Sequence, residues 1–278
     1  MRNGMFRISR TARWIAAGLV ATWCGDLAAA EPAKPPAPAA KPHLVMVIAD
    51  DEYRTAETLP AFTTAELGDD FRVTTVGPDA GDPGGIPGLE TVEGMDVLLV
   101  SARRRPLPAR QLDRIRGHVA AGRPVVGIRT ANHAFHLRRG VPAAGLAQWP
   151  TFDADVFGGN YSNHLDNSLR TSARRAAGVE HPILAGVPAE EFATGGSLYV
   201  VSPLAPTTTA LMLGRAAGVD REEPVAWVNH RADGGWSFYT SLGHPDDFAN
   251  PAFRRLLANA IRWTASKPRP EAKPPAAR

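Results

Sequence analysis

Four apolar segments constrain what this chain can fold into more than any other feature: "HLVMVIAD" (43–50), "FRVTTVG" (71–77), "MDVLLVS" (95–101) and "PVVGIR" (124–129). Three of them place apolar residues at odd and even positions alike, so both faces of each strand need cover, which is the signature of a parallel sheet wrapped by helices. Between the third and fourth, "PARQLDRIRGHVAAG" sets Leu112, Ile115 and Val119 at helical spacing and stops at Gly122. After residue 170 the pattern becomes strand-rich, with "GSLYVVSPL", "TTTALMLG", "PVAWVNH" and "WSFYTSLGH". A last helix is expected from Asn250 as N-cap and Pro251 at the first position, with Phe253, Leu256, Leu257 and Ile261 on its apolar face. The expected fold is one α/β domain over residues 43–265, a doubly wound, mostly parallel sheet in a flavodoxin-like three-layer sandwich.

The flanks read differently. Arg2, Arg7, Arg10 and Arg13 precede an apolar run from Trp14 to Trp23 and then Ala28-Ala29-Ala30, so residues 1–30 are expected to be a cleaved signal peptide that directs export to the periplasm or beyond the cell. The run is about half of the ~20 residues a membrane span needs, so no stable membrane insertion is expected after cleavage. Cleavage removes Cys24, the only cysteine, and with it any thiol or disulfide chemistry. Four of the 31 basic and one of the 28 acidic residues leave too, which balances the rest at 27 against 27. Residues 31–42 and 266–278 are Pro/Ala/Lys-rich and read as a linker and a disordered tail. No basic stripe interleaved with aromatics appears, so no nucleic acid is expected as partner. Self-association into a homo-oligomer is left open.

In such sheets ligands bind beyond the carboxyl ends of the strands. That rule nominates Asp50, Asp51 and Glu52 after the first strand, Ser101 and Arg103 to Arg105 after the third, and Arg129, Thr130, Asn132, His133 and His136 after the fourth. The strand at 235–242 delivers His244, Asp246 and Asp247. The loop "FDADVFGGNYSNHLDNS" adds Asn160, Tyr161, Asn163 and His164, an aromatic, two amides and an imidazole suited to a polar ligand. Each group also has a plain structural reading. His244 can cap a turn, the aspartates can favour a helix start, and the arginines can form a solvated face.

The segments "VVGIRTANHAFH", "VFGGNYSNH", "HPILAGV", "GSLYVVSPLAP", "EPVAWVNH" and "FYTSLGHPDDFANPAFRRLLANAIRW" resemble the ThuA-like (trehalose-utilisation-like) family, in the exported form met in planctomycete-type bacteria. That family is similar to the class I glutamine amidotransferase fold. There a His-Pro-Glu turn supplies a base and its orienting carboxylate to a cysteine on a sharp strand-to-helix elbow. Here His244-Pro245-Asp246 stands at the turn and Arg129 at the elbow. An arginine stays cationic and cannot be a nucleophile, so no glutaminase activity is expected, although it can clamp an anion or a polarised hydroxyl.

The resemblance implies a role in carbohydrate utilisation. The expected reading is an enzyme, a hydrolase or isomerase of a sugar derivative, with His244, Asp246 and His133 as acid–base groups. Asp51, Glu52, Arg129, Thr130, Asn160, Tyr161 and His164 are expected to hold the substrate. A non-catalytic sugar- or protein-binding module is the alternative. His133 and His136, with His164, His230 or His244 as a third ligand, are candidates for a divalent metal, without an H-E-x-x-H signature; no other cofactor is implied. The sharpest expectation is that the largest polar pocket contains His244 and at least two of Asp51, Arg129 and His133.

Overall fold

The computed structural model describes residues 40–79 and 84–268. The expected signal peptide lies outside the described residues, as do 31–39 of the linker and 269–278 of the tail. No helix among the described residues is long and apolar enough to cross a membrane.

The main sheet is built from nine strands: β1 (His43–Ala49), β2 (Arg72–Val76), β3 (Val97–Ala102), β4 (Val125–Ile128), β5 (Thr171–Arg175), β6 (Phe192–Thr194), β7 (Thr208–Ala216), β8 (Glu222–His230) and β9 (Trp236–Thr240). They lie in the order β2-β1-β3-β4-β9-β8-β7-β5-β6. The first five pair in parallel, and from β9 onward each pairing is antiparallel, so seven of the nine strands run in one direction. Three helices complete the layers: α1 (Thr55–Glu66), α2 (Ala109–Ala120) and α3 (Pro251–Ala265).

Why the sheet is covered on both faces is visible in β1. Leu44, Met46 and Ile48 join the core under α1 and α3 with Leu59, Phe62, Leu256 and Ile261. The alternate residues Val45, Val47 and Ala49 join the core under α2 with Leu112, Ile115 and Val119, as the pleat requires. The chain winds from β1 to the outer strand β2 and then back across to β3, so the topological switch point falls between β1 and β3. In a flavodoxin-like order that is where a ligand site is expected.

Two strands and one helix went unread in the sequence. β5 ("TSARR") and β6 ("FAT") are short, polar and near the sheet edge, with only Thr171 and Ala173 of β5 buried. Helix α1 carries Pro60 in its interior and only a narrow buried stripe, Thr55, Leu59, Phe62 and Thr63, so propensity argues against it while burial against α3 holds it. Conversely, the apolar "GSLYVVSPL" is not a strand of the main sheet. Only Tyr199–Val200 bridges, to Asn163–His164.

Candidate functional site

Three non-glycine residues in the described chain adopt the left-handed conformation, and all are arginines at the carboxyl edge of the sheet: Arg54 (φ 52°), Arg104 (φ 51°) and Arg129 (φ 50°). Such backbone costs roughly 1–3 kcal/mol each and survives only where the surroundings over-determine it. Arg129 is the elbow. Its carbonyl accepts a 2.5 Å hydrogen bond from Tyr239 Oη, and its backbone opens a short 3₁₀ turn, Arg129–His133, that aims Thr130, Asn132 and His133 at the switch point.

Around that turn the strand ends are tied together. Buried Asp50 accepts from Glu52 N–H (2.8 Å) and Thr130 Oγ1 (2.9 Å), which links β1 to the elbow, and burial raises its pKa. The chain after β3 is fixed to the elbow by Arg104 N–H to His133 O (3.0 Å) and Arg105 N–H to Ala134 O (2.6 Å). The loop at 158–164 is stitched down as well. Buried Asp153 Oδ2 accepts from Tyr161 N–H (2.8 Å), and Ser162 N–H donates to Val200 O (3.0 Å).

These ties enclose a cleft of about 270 Å³ at the β1/β3 switch point. Glu52 and Tyr53 come from the end of β1, Arg103 and Arg104 from the end of β3, and His133 from the elbow. Arg138 follows, and the loop supplies Tyr161, Ser162, Asn163 and His164 opposite Tyr199. Tyr161 stacks on the His133 imidazole at 4.7 Å and meets Tyr199 at 4.9 Å. Glu52 and Arg103 form a 2.6 Å ion pair, each side chain 43% exposed.

The electrostatics follow from this packing. Burial, with the Arg104 and Arg103 charges adding to it, pushes the His133 pKa down to about 2, so the ring is neutral at any physiological pH. Its Nδ1 lies 2.6 Å from Asn132 Oδ1, an acceptor, so the ring carries its proton on Nδ1. Nε2 is left as a bare lone pair. Arg104 donates from Nη1 to His136 Nε2 (3.0 Å), and burial, with the Arg138 and Arg103 charges beside it, lowers the Arg104 pKa. Burial holds the Tyr161 hydroxyl above its ordinary pKa, and thus protonated.

The candidates divide accordingly. Glu52, His133, Tyr161 and His164 line the cleft. Arg129 does not: it is 1% exposed, with Nη1 donating to Ser241 O (2.7 Å) and Ser197 O (3.3 Å) and Nη2 to Tyr53 Oη (3.3 Å). Its guanidinium lies between the Tyr53 and Tyr199 rings, 4.5 and 4.6 Å from their centroids, as a cation under the cleft floor. Thr130 is fully buried on Asp50. Asp51 is exposed in a separate depression with Gly77 and Arg105, and Asn160 reaches only toward Ser202 O (3.5 Å).

His244 and Asp246 are also outside the cleft, contrary to the expectation that His244 shares one polar pocket with at least two of Asp51, Arg129 and His133. His244 caps the short turn Pro245–Ala249: its Nδ1 accepts from Asp246 N–H (3.3 Å), and Asp247 accepts from His244 N–H in return. Buried Asp247 also takes Gly195 N–H (2.7 Å) and Gly243 N–H (2.8 Å). The imidazole meets the Tyr53 ring edge-on at 6.0 Å, so Tyr53 separates it from the cleft. The metal candidates fail to assemble too. Among the described residues no three His, Cys, Asp or Glu side chains are placed to hold a metal ion, and His136 Nε2 already faces a guanidinium.

Sequence reasoning missed Tyr53, Arg138, Ser162 and Tyr199. Tyr53 directly follows the acids at the end of β1, where the strand-end rule applies. Tyr199 was hidden in an apolar run that read as core, and Arg138 lies beyond any strand end.

A mostly parallel, doubly wound α/β sandwich with a buried arginine at the elbow after β4 and a polar cleft at the β1/β3 switch point defines the class. Residues 44–264 match the ThuA family, described as trehalose utilisation, and the chain belongs to that family, which gives it a carbohydrate-related role. No protein of curated function matches the chain. Among solved structures it is similar to a ThuA-like protein of Bacteroides uniformis, with 16% identity, a TM-score of 0.59 and coverage of 85% of this chain and 96% of that one. It is also similar to a ThuA-like protein of Parabacteroides merdae, with 17% identity, a TM-score of 0.57 and coverage of 84% and 94%. A glutamine amidotransferase of Methylobacillus flagellatus is more distant, at 14% identity, a TM-score of 0.40 and coverage of 73% and 70%.

Proposed function

We propose that the protein is an exported enzyme that binds a sugar derivative in the β1/β3 cleft and moves a proton at His133 Nε2. The observation that carries this reading is the fixed imidazole: Asn132 sets its tautomer, Tyr161 stacks on it, and its free lone pair belongs to a residue lining the cleft. Tyr53 and Tyr161 line the cleft with aromatic surface for the apolar side of a pyranose, while Asn163, Ser162 and Glu52 offer partners to its hydroxyls. At about 270 Å³ the cleft sits at the small end of ligand sites, roughly 300–1,000 Å³, which suits a single ring. Hydrolysis or isomerisation of a glycoside or oxidised sugar is the reaction class. The N-terminal pattern of arginines, apolar run and alanines supports export.

A binding-only protein is the second reading, favoured by the buried arginine at the elbow. Turnover of a panel of glycosides and oxidised sugars by the purified protein separates the two, with His133→Ala as control. The enzyme reading expects turnover that this variant loses while it still binds. Binding without turnover in the unmodified protein would establish the second reading.

A further inference from the structure

We infer that the ligand of this cleft carries an anionic group, a carboxylate or a phosphate, that docks on Arg104 and Arg138. The inference rests on the reading of the cleft as the ligand site and adds the charge class of what enters it.

The charges in the cleft do not balance. Arg103, Arg104 and Arg138 line it, against Glu52 as the single carboxylate, and Glu52 is engaged by Arg103 at 2.6 Å. Two guanidinium charges therefore face the cavity without a counter-charge. A solvated patch of arginines would be unremarkable, but Arg104 is not one. Its backbone is held at φ 51°, its amide is bonded to His133 O, and its Nη1 donates to a neutral imidazole in place of a carboxylate. Holding a half-buried cation in that geometry beside two others costs Coulomb energy that an entering anion repays. Arg138 makes no hydrogen bond or ion pair among the described residues, so both nitrogens of its planar fork are free for bidentate capture of a carboxylate or phosphate. Burial is the first cause of the neutral state of His133 and the Arg104 charge the next, so an anion docked on Arg104 would offset part of that depression. An anionic ligand would thus raise the imidazole's basicity as it docks, which a neutral sugar would not do.

The test is calorimetric titration of the full chain with glucuronate, glucose 6-phosphate, glucose and inorganic phosphate, at low and high salt, on the unmodified protein, R104Q and R138Q. Arg138 is exposed, so R138Q tests the idea even if R104Q disturbs the strained loop. The expected result is at least roughly tenfold tighter binding of one charged sugar than of glucose, with that advantage reduced by salt and largely lost in R138Q. A preference for glucuronate identifies the carboxylate, and one for glucose 6-phosphate the phosphate. Glucose binding as tightly as both charged sugars overturns the anion inference and leaves the sugar site standing. Inorganic phosphate binding as tightly as glucose 6-phosphate keeps the anion site and removes the sugar. If none of the four binds, both readings fall.

Discussion

Replacing Asp153 by asparagine should remove a pH-dependent loss of stability that the unmodified protein carries between about pH 4 and pH 7. The carboxyl lies in the π-helical turn Asp153–Phe157 beneath the cleft loop. Oδ2 accepts from Tyr161 N–H, Oδ1 has no partner, and Gly159 packs so closely that a Cβ there would sit 2.3 Å from Oδ1. Burial raises the pKa from 3.8 to about 7, with the Tyr161 bond opposing it. Since the folded pKa is the higher one, the folded state holds the proton longer than the unfolded chain. Below pH 3.8 both states are protonated and the group costs nothing. As pH rises toward 7 the penalty accumulates, and above 7 it is complete and constant. The gap corresponds to at most about 4 kcal/mol, at about 1.36 kcal/mol per pH unit. Asparagine keeps an oxygen for Tyr161 N–H and cannot ionise. The variant should therefore gain up to about 4 kcal/mol over the unmodified protein between pH 4 and pH 8, or roughly 8–16 °C in relative Tm for a domain of this size. Thermal melts of both proteins at pH 4, 6 and 8 measure this. Two curves that stay parallel to within about 0.5 kcal/mol would refute the reasoning and place the carboxylate in contact with solvent.

Asp247→Ala should destabilise by at least about 3 kcal/mol in urea unfolding, because the amides of Gly195, Gly243 and His244 lose their shared acceptor and each unmet buried donor costs roughly 1–3 kcal/mol. His244→Ala removes the acceptor for Asp246 N–H and the edge-on contact with Tyr53 and should cost about 1 kcal/mol, with catalysis or ligand binding retained; complete loss of function in a folded variant would return His244 to the site.

Much of this protein was legible along the chain. The parallel half of the sheet followed from doubly apolar strands such as 43–49, because burial on both faces leaves a pattern no tertiary partner is needed to interpret. Helix α3 was equally open, with Asn250 capping Ala252 N–H, Pro251 behind it and an apolar stripe along its length. That the elbow carries an arginine, a side chain that cannot be a nucleophile, is a one-letter fact. Strand-end placement nominated Glu52 and His133, and the composition of one loop Tyr161 and His164, and all four line one cleft. What the chain could not show was which strand-end groups face the cavity and which face the protein. Arg129 and His133 sit in the same five-residue turn, yet one is a buried cation between two tyrosines and the other lines the cleft. The turn "GHPDDF" looked like chemistry, but Tyr53, nearly 200 residues earlier, stands between it and the cleft, which leaves His244 and Asp247 to satisfy backbone amides. Residue type and spacing fix what a side chain can do. Whether it touches solvent, a carbonyl or a ligand depends on partners brought in from distant strands, and only the packed tertiary structure supplies those.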